Sequence, residues 1–199
     1  MTYGLDRQRP LSAHEFPEVE ALAKHLARFR SPETGDPENP LYRKYPERWL
    51  ESVARRGISA LDSTLHRRPL YSQVPAVAGI ERGIIDLLAC DQGGRLAVIE
   101  FKVGEDIHLP RQGLDYWMRV KWHLQRDEIA SKGHFPGIGL GSASPRLLLV
   151  SPAFHFHPST EIILRYFSPD VPVERIGLGA DWRRDLTVVF RKRGAGRLA

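Results

Sequence analysis

One stretch limits the folding options of this chain more than any other: Gly83-Ile-Ile-Asp86-Leu-Leu-Ala-Cys-Asp-Gln-Gly-Gly-Arg-Leu-Ala-Val-Ile-Glu100-Phe-Lys102. Two apolar, strand-like runs flank a Gly-Gly turn, and each carries charge where a core strand ordinarily carries none. A buried carboxylate is costly unless it is paired, hydrogen-bonded or bound to a cation. Side chains alternate faces along a strand, so Leu96, Val98, Glu100 and Lys102 share one face, as do Ile84, Asp86, Leu88 and Cys90 on the preceding strand. If Gln92, Gly93 and Gly94 form a three-residue loop, Asp91 pairs with Arg95 and Asp86 falls opposite Glu100. Cross-strand partners stand about 4.5–5.5 Å apart at Cβ. Two carboxylates that close repel unless a proton or a cation lies between them.

A hard divalent cation such as Mg²⁺ suits such a pair, because it takes oxygen ligands and keeps several waters. Lys102, on the same face, would set an ammonium beside it, able to orient or deprotonate a water or to stabilise charge on a phosphate. Metal-activated water with charge neutralisation is what phosphodiester hydrolysis requires. The plain alternative is a surface salt bridge between Glu100 and Lys102, with Asp86 capping a turn.

The flanking elements follow from periodicity. Glu15 to Arg30 places Phe16, Val19, Ala23, Leu26 and Ala27 at helical spacing, and the proline-rich run from Ser31 to Pro40 then breaks the pattern. This gives an N-terminal helical arm with its connector, residues 1–40, and one domain over 41–199. Within that domain a helix is expected over Pro46–Arg56, with Trp49, Leu50 and Val53 inward. Strands are expected over Tyr71–Val77, Gly83–Cys90 and Leu96–Val103, with Pro75 marking an edge or a bulge. A long helix from Leu109 to Ala130 follows, then strand Arg146–Val150, helix Thr160–Phe167, and strands Val171–Ile176 and Leu186–Arg191. The order predicts an α/β (α+β) fold, a mixed central sheet flanked by helices.

Asp86 followed fourteen positions later by Glu100-Phe101-Lys102 resembles the PD-(D/E)xK nuclease superfamily, whose fold is restriction-endonuclease-like. Gly83-Ile-Ile-Asp86 is similar to the Gly-x-x-Asp first motif of its RecB-type and NucS-type domains. Gln112-Gly-Leu-Asp-Tyr116 is similar to their Gln-x-x-x-Tyr motif on the next helix. The resemblance covers residues 45–150 and departs from the family pattern in lacking a proline before the aspartate. It implies a metal-dependent nuclease acting on nucleic acid, DNA above all, with Mg²⁺ or Mn²⁺ as cofactor. Asp86 and Glu100 would ligate the metal, with the Phe101 carbonyl nearby, and Lys102 would be catalytic. Gln112 and Tyr116 would position the substrate strand or the water. A further acid from the first helix is implied, Glu51 first and Glu47 second. A non-catalytic nucleic-acid- or protein-binding member of the same fold is the alternative.

On the long helix Gln112, Tyr116, Arg119 and His123 form a polar stripe that could meet phosphates and bases, beside an apolar stripe of Leu109, Gly113, Trp117, Val120 and Leu124. Arg183-Arg184 and Arg191-Lys192-Arg193 are further candidate phosphate contacts, consistent with a formal charge of +5. Trp122 and Trp182 are expected to pack. His155 and His157 lack the companions that a zinc site needs. Gly137-Ile-Gly-Leu-Gly141 lacks the Lys-Ser/Thr of a phosphate loop. The single cysteine, Cys90, excludes an internal disulfide framework, and 42% hydrophobic with 27% charged residues excludes wholesale disorder. No secretory signal or membrane span is visible, so a cytoplasmic location is expected. A homodimer or a targeting partner protein stays open.

Overall fold

The computed structural model describes residues 2–3, 9–10, 12–34, 36–78 and 81–194, which fall into two compact units, 1–46 and 47–199. In the first, β1 (Thr2–Tyr3) pairs antiparallel with β2 (Arg9–Pro10). Ser12 donates through its backbone N–H and its hydroxyl to Glu15 (2.7 and 2.9 Å), a cap that starts the turn leading into α1 (Phe16–Phe29). This helix half-buries Val19, Leu22, Leu26 and Phe29 and fully buries nothing. The inward stripe therefore runs through Leu22 and Phe29, and the expected Phe16, Ala23 and Ala27 are exposed. The connector is folded onto itself. Arg30 donates to the carbonyls of Leu41 (3.0 Å) and Lys44 (2.5 Å), while Asn39 caps α2 (Pro40–Arg43) by accepting from Leu41 N–H.

The second unit begins within the first turn of α3 (Pro46–Arg56), which has the bounds expected from sequence and buries Trp49, Leu50, Glu51 and Ala54. After α4 (Ile58–Leu61) come β3 (Tyr71–Ala78), β4 (Glu81–Cys90) and β5 (Leu96–Phe101). Then follow α5 (Leu109–Leu124), α6 (Glu128–Ser131), β6 (Arg146–Pro152), α7 (Thr160–Leu164), β7 (Val173–Leu178) and β8 (Val188–Arg193). The six strands form one mixed open sheet in the order β3-β4-β5-β6-β7-β8. β3, β4 and β5 form an antiparallel meander, β5-β6 and β6-β7 are parallel, and β8 returns antiparallel. Each parallel step needs a crossover, supplied by α5 and α7.

Every residue of β5, β6 and β7 is buried, as for parallel strands covered on both faces. One core lies between the sheet and α5, with Leu88, Cys90, Leu96, Val98, Leu147 and Leu149 under Leu109, Trp117 and Val120. Gly113 lets the helix approach closely, because a Cβ there would stand 2.7 Å from Leu149. β3 is an edge strand, which accommodates Pro75. The long helix expected to reach Ala130 ends at Leu124, since Asp127 adopts a left-handed φ of 55° and α6 starts afresh. Among the described residues no helix is long and apolar enough to cross a membrane.

Candidate active site

The β4–β5 hairpin turns as its residues dictate. Asp91 N–H donates to Arg95 O (2.8 Å), and Gly94 N–H returns to Asp91 O (2.9 Å). The Asp91 carboxylate accepts from Gly93 and Arg95 N–H, both at 2.9 Å. Gly94 takes φ +80°, as a three-residue hairpin loop demands, and a Cβ there would lie 2.1 Å from Gly139 O. The glycine-rich loop thus clasps the hairpin, with Gly141 N–H donating to Gly94 O (2.9 Å). From this turn the ladder runs Cys90↔Leu96, Ala89↔Ala97, Leu88↔Val98 and Leu87↔Ile99. The next step in that register brings Asp86 to Glu100 at the carboxyl end of β5.

Asp86 Oδ2 accepts the Phe101 backbone N–H (3.0 Å), so Phe101 is tied to the site through its amide. The side chains of Asp86 and Glu100 act on each other directly, each weighing on the other's proton affinity. Glu100 is 1% exposed, and its Oε2 is buried without a hydrogen-bond partner. Burial, reinforced by the charge of Asp86, pushes the Glu100 carboxyl up to about 9, against the opposing pull of Lys102. Burial also raises Asp86, although Phe101 N–H, Lys102 and Gln73 favour its anion. Burial and mutual repulsion thus favour a proton held between the two carboxyls.

Glu51, 5% exposed on α3, joins them through a residue absent from the sequence expectations. The Gln73 side-chain amide donates to Glu51 Oε2 (2.8 Å) and to Asp86 Oδ1 (3.4 Å). Gln73 has φ 51°, and the β3–β4 ladder pairs Ser72 with Leu87 and Val74 with Ile85 but skips the step between them. A non-glycine residue held in the left-handed region costs energy that the surroundings must supply, and such residues concentrate at functional sites. Burial raises the Glu51 carboxyl, the Gln73 hydrogen bond opposes this, and the charge of Asp86 adds to it. Glu47, the second choice from sequence, is half-buried one turn earlier.

Lys102 continues from β5, its N–H on Val150 O (3.0 Å). Its ammonium lies 3.6 Å from Asp106 Oδ2, and its charge reaches both Asp86 and Glu100. Asp106 is a second residue that the sequence left unnoticed. It also accepts from His108 N–H (2.7 Å) just before α5.

The two short motifs meet physically. The Tyr116 ring lies on Gly83, where a Cβ would stand 2.4 Å from Cε1. Tyr116 OH accepts from Ile84 N–H (3.3 Å) and from the Gln112 side-chain amide (3.2 Å). Gln112 and Tyr116 thus hold the backbone of β4 two residues before Asp86. The rest of the polar stripe on α5 faces β3 and α6 rather than an open surface. Arg119 is buried, donating to Ala76 O (3.0 Å) and pairing with Asp115 (2.9 Å). His123 pairs with Glu128 (2.7 Å). The expected nucleic-acid contact of Arg119 is corrected on that ground, because helical spacing groups the stripe but does not tell what packs on it, while His123 is half-buried beside α6.

Arg183 stacks its guanidinium over Trp182 (4.3 Å) and Trp49 (5.1 Å), and Arg184 is exposed beside it in the turn before β8. Arg191 pairs with Glu174 (2.7 Å). Trp182 is buried as expected. Trp122 instead is exposed under Arg126, 3.9 Å from the ring centroid.

Among the described residues no group of three or more His, Cys, Asp and Glu side chains is arranged to enclose a metal. The donors that do meet are the oxygens of Asp86 and Glu100, one of them bare, with Glu51 set off by the Gln73 amide. An oxygen-only pair of this kind suits a hard cation that keeps most of its water. No family model matches the chain, and neither a curated protein nor a solved structure shows significant similarity to it.

Proposed function

We propose that this chain is a metal-dependent nuclease that hydrolyses phosphodiester bonds in nucleic acid, with DNA the favoured substrate. In this reading it is a restriction-endonuclease-like member of the PD-(D/E)xK superfamily acting in the cytoplasm. The observation that carries the reading is the buried Glu100 beside the half-buried Asp86, with one oxygen bare and the ammonium of Lys102 alongside. A scaffold gains little from two adjoining carboxyls whose partners do not offset their burial, whereas a cation site requires them.

Asp86 and Glu100 would hold Mg²⁺ or Mn²⁺, with the Phe101 carbonyl and Glu51 at its margin. A bound cation would supply an acidified water and neutralise phosphate charge. Asp86 is aimed by Phe101 N–H and Gln73. Lys102, steadied by Asp106, orients the attacking water or stabilises charge growing on the phosphate. Gln112 and Tyr116 fix the approach of β4, and the half-buried Gln112 amide can also touch the substrate strand.

The test is cleavage of labelled single- and double-stranded DNA with Mg²⁺ or Mn²⁺. Wild type should cut and chelator should stop it. Lys102→Ala and Glu100→Ala should each lose activity by about 10² or more. Activity unchanged in both variants would overturn the assignment.

A further inference from the structure

A groove of ≈ 1250 Å³ runs between the C-terminal half of α3, with the turn that follows it, and the segment before β3. Its wall holds Arg55, Arg56, Arg67 and Arg68 and contains no Asp or Glu. All four arginines are exposed. The partners of Arg56 and Arg67 are hydroxyls, Ser52 Oγ and Ser59 Oγ, each at 3.1 Å. A hydroxyl aims a guanidinium without neutralising it. Four like charges along one concave wall repel each other and focus a positive potential into the groove.

We infer that this groove is the track for the phosphate backbone of the nucleic acid on one side of the cleavage site. The inference rests on the nuclease reading for its location, because α3 links the two places. Glu51 and Arg55 are four residues apart on one helical face, a rise of about 6 Å, and the charge of Arg55 reaches Glu51. A strand whose phosphate enters at Asp86–Glu100 therefore meets Arg55, the first arginine of the groove, within about one helical turn of Glu51. Guanidinium forks match phosphate oxygens. The remaining wall, including Gly57, Ile58, Pro69 and Leu70, offers no aromatic ring. Contact through the backbone without base stacking makes the track indifferent to sequence.

The experiment measures anisotropy of a labelled DNA duplex across a salt series, in a Lys102→Ala background with chelator. Arg55→Ala/Arg56→Ala and Arg67→Ala/Arg68→Ala should each weaken binding about ten-fold or more and lower the salt slope by about 2. The corresponding lysine doubles should keep most of the slope. Arg126→Ala/Arg165→Ala, exposed residues outside the groove, serves as the control for net charge. Equal losses in all three alanine doubles, or no loss in either groove double, would overturn the track. Metal-dependent cleavage by wild type with unaffected groove variants would remove the track and leave the nuclease. Selective loss of binding with no cleavage by wild type would do the reverse.

Discussion

At the start of β6 Arg146 lies between Asp62 (2.6 Å) and Glu174 (2.8 Å), and Arg191 closes the set against Glu174 (2.7 Å). At the far end of the neighbouring parallel strand, Asp86, Glu100 and Glu51 face each other with one amide and one lysine to share. Both clusters are sheltered, yet their chemistry runs in opposite directions. Burial tends to raise Asp62 and Glu174, but the hydrogen bonds of Thr64 to the first, and of Arg191 and Arg146 to the second, outweigh it and hold both low. The same balance lifts Arg146. At Glu100 burial wins and the acid keeps its proton. Acids supplied with their own cations belong to the frame, and under the proposed function the acids left short of one would take it from outside.

The largest effect expected from this contrast is on stability. Arg146→Met takes the shared buried cation from Asp62 and Glu174, leaving them Arg191 at the rim, and should cost about 3 kcal/mol in denaturant unfolding. Glu100→Gln removes a raised acid and should leave stability unchanged or improved. Equal losses from both would erase the distinction between the two ends.

Stability against pH should separate them further. The folded values of Asp62 and Glu174 lie below their unfolded ones. Their contribution is present above the unfolded values and lost as pH falls through the folded values. Glu100 is the reverse, raised from 4.5 to about 9. Its contribution is full below 4.5 and lost as pH rises through about 9. Unfolding midpoints in wild type should therefore fall toward acid pH and, separately, fall as pH rises from 4.5 to about 9. Glu100→Gln should flatten the fall between 4.5 and about 9 and leave the acid fall intact.

Smaller effects belong to the support of the site. Gly83→Ala drives a methyl into the Tyr116 ring and should cost about 1–3 kcal/mol. Tyr116→Phe loses two acceptor contacts at one oxygen and should cost about 1 kcal/mol. The double variant Gly83→Ala/Tyr116→Ala should cost less than its two single changes summed, because the smaller side chain makes room.

How far these features could be foreseen depends on the range of the interaction. The hairpin register was legible because Asp91, Gly93 and Gly94 fix the turn locally and strict alternation then carries it to Asp86 and Glu100. Glu51 was expected from the family resemblance alone, on a helix whose bounds periodicity gives. Gln73 was not, since Pro75 signals an edge or a bulge without telling which residue takes the strained φ or what its side chain meets. The end of α5 was missed because Leu124-Gln-Arg-Asp carries neither glycine nor proline. Arg119 was misplaced because periodicity shows a stripe, not its neighbour. The pairing of Asp62 with Arg146 spans 84 positions, beyond any local pattern.

The central claim is that Asp86 and Glu100 hold a proton until a cation takes its place. Calorimetric titration of Mg²⁺ or Mn²⁺ at neutral pH, repeated in buffers of different ionisation enthalpy, tests it directly. Binding by wild type should release about one proton per metal, and Asp86→Asn and Glu100→Gln should abolish it. Binding that releases no proton, or that persists unchanged in either variant, would contradict the account.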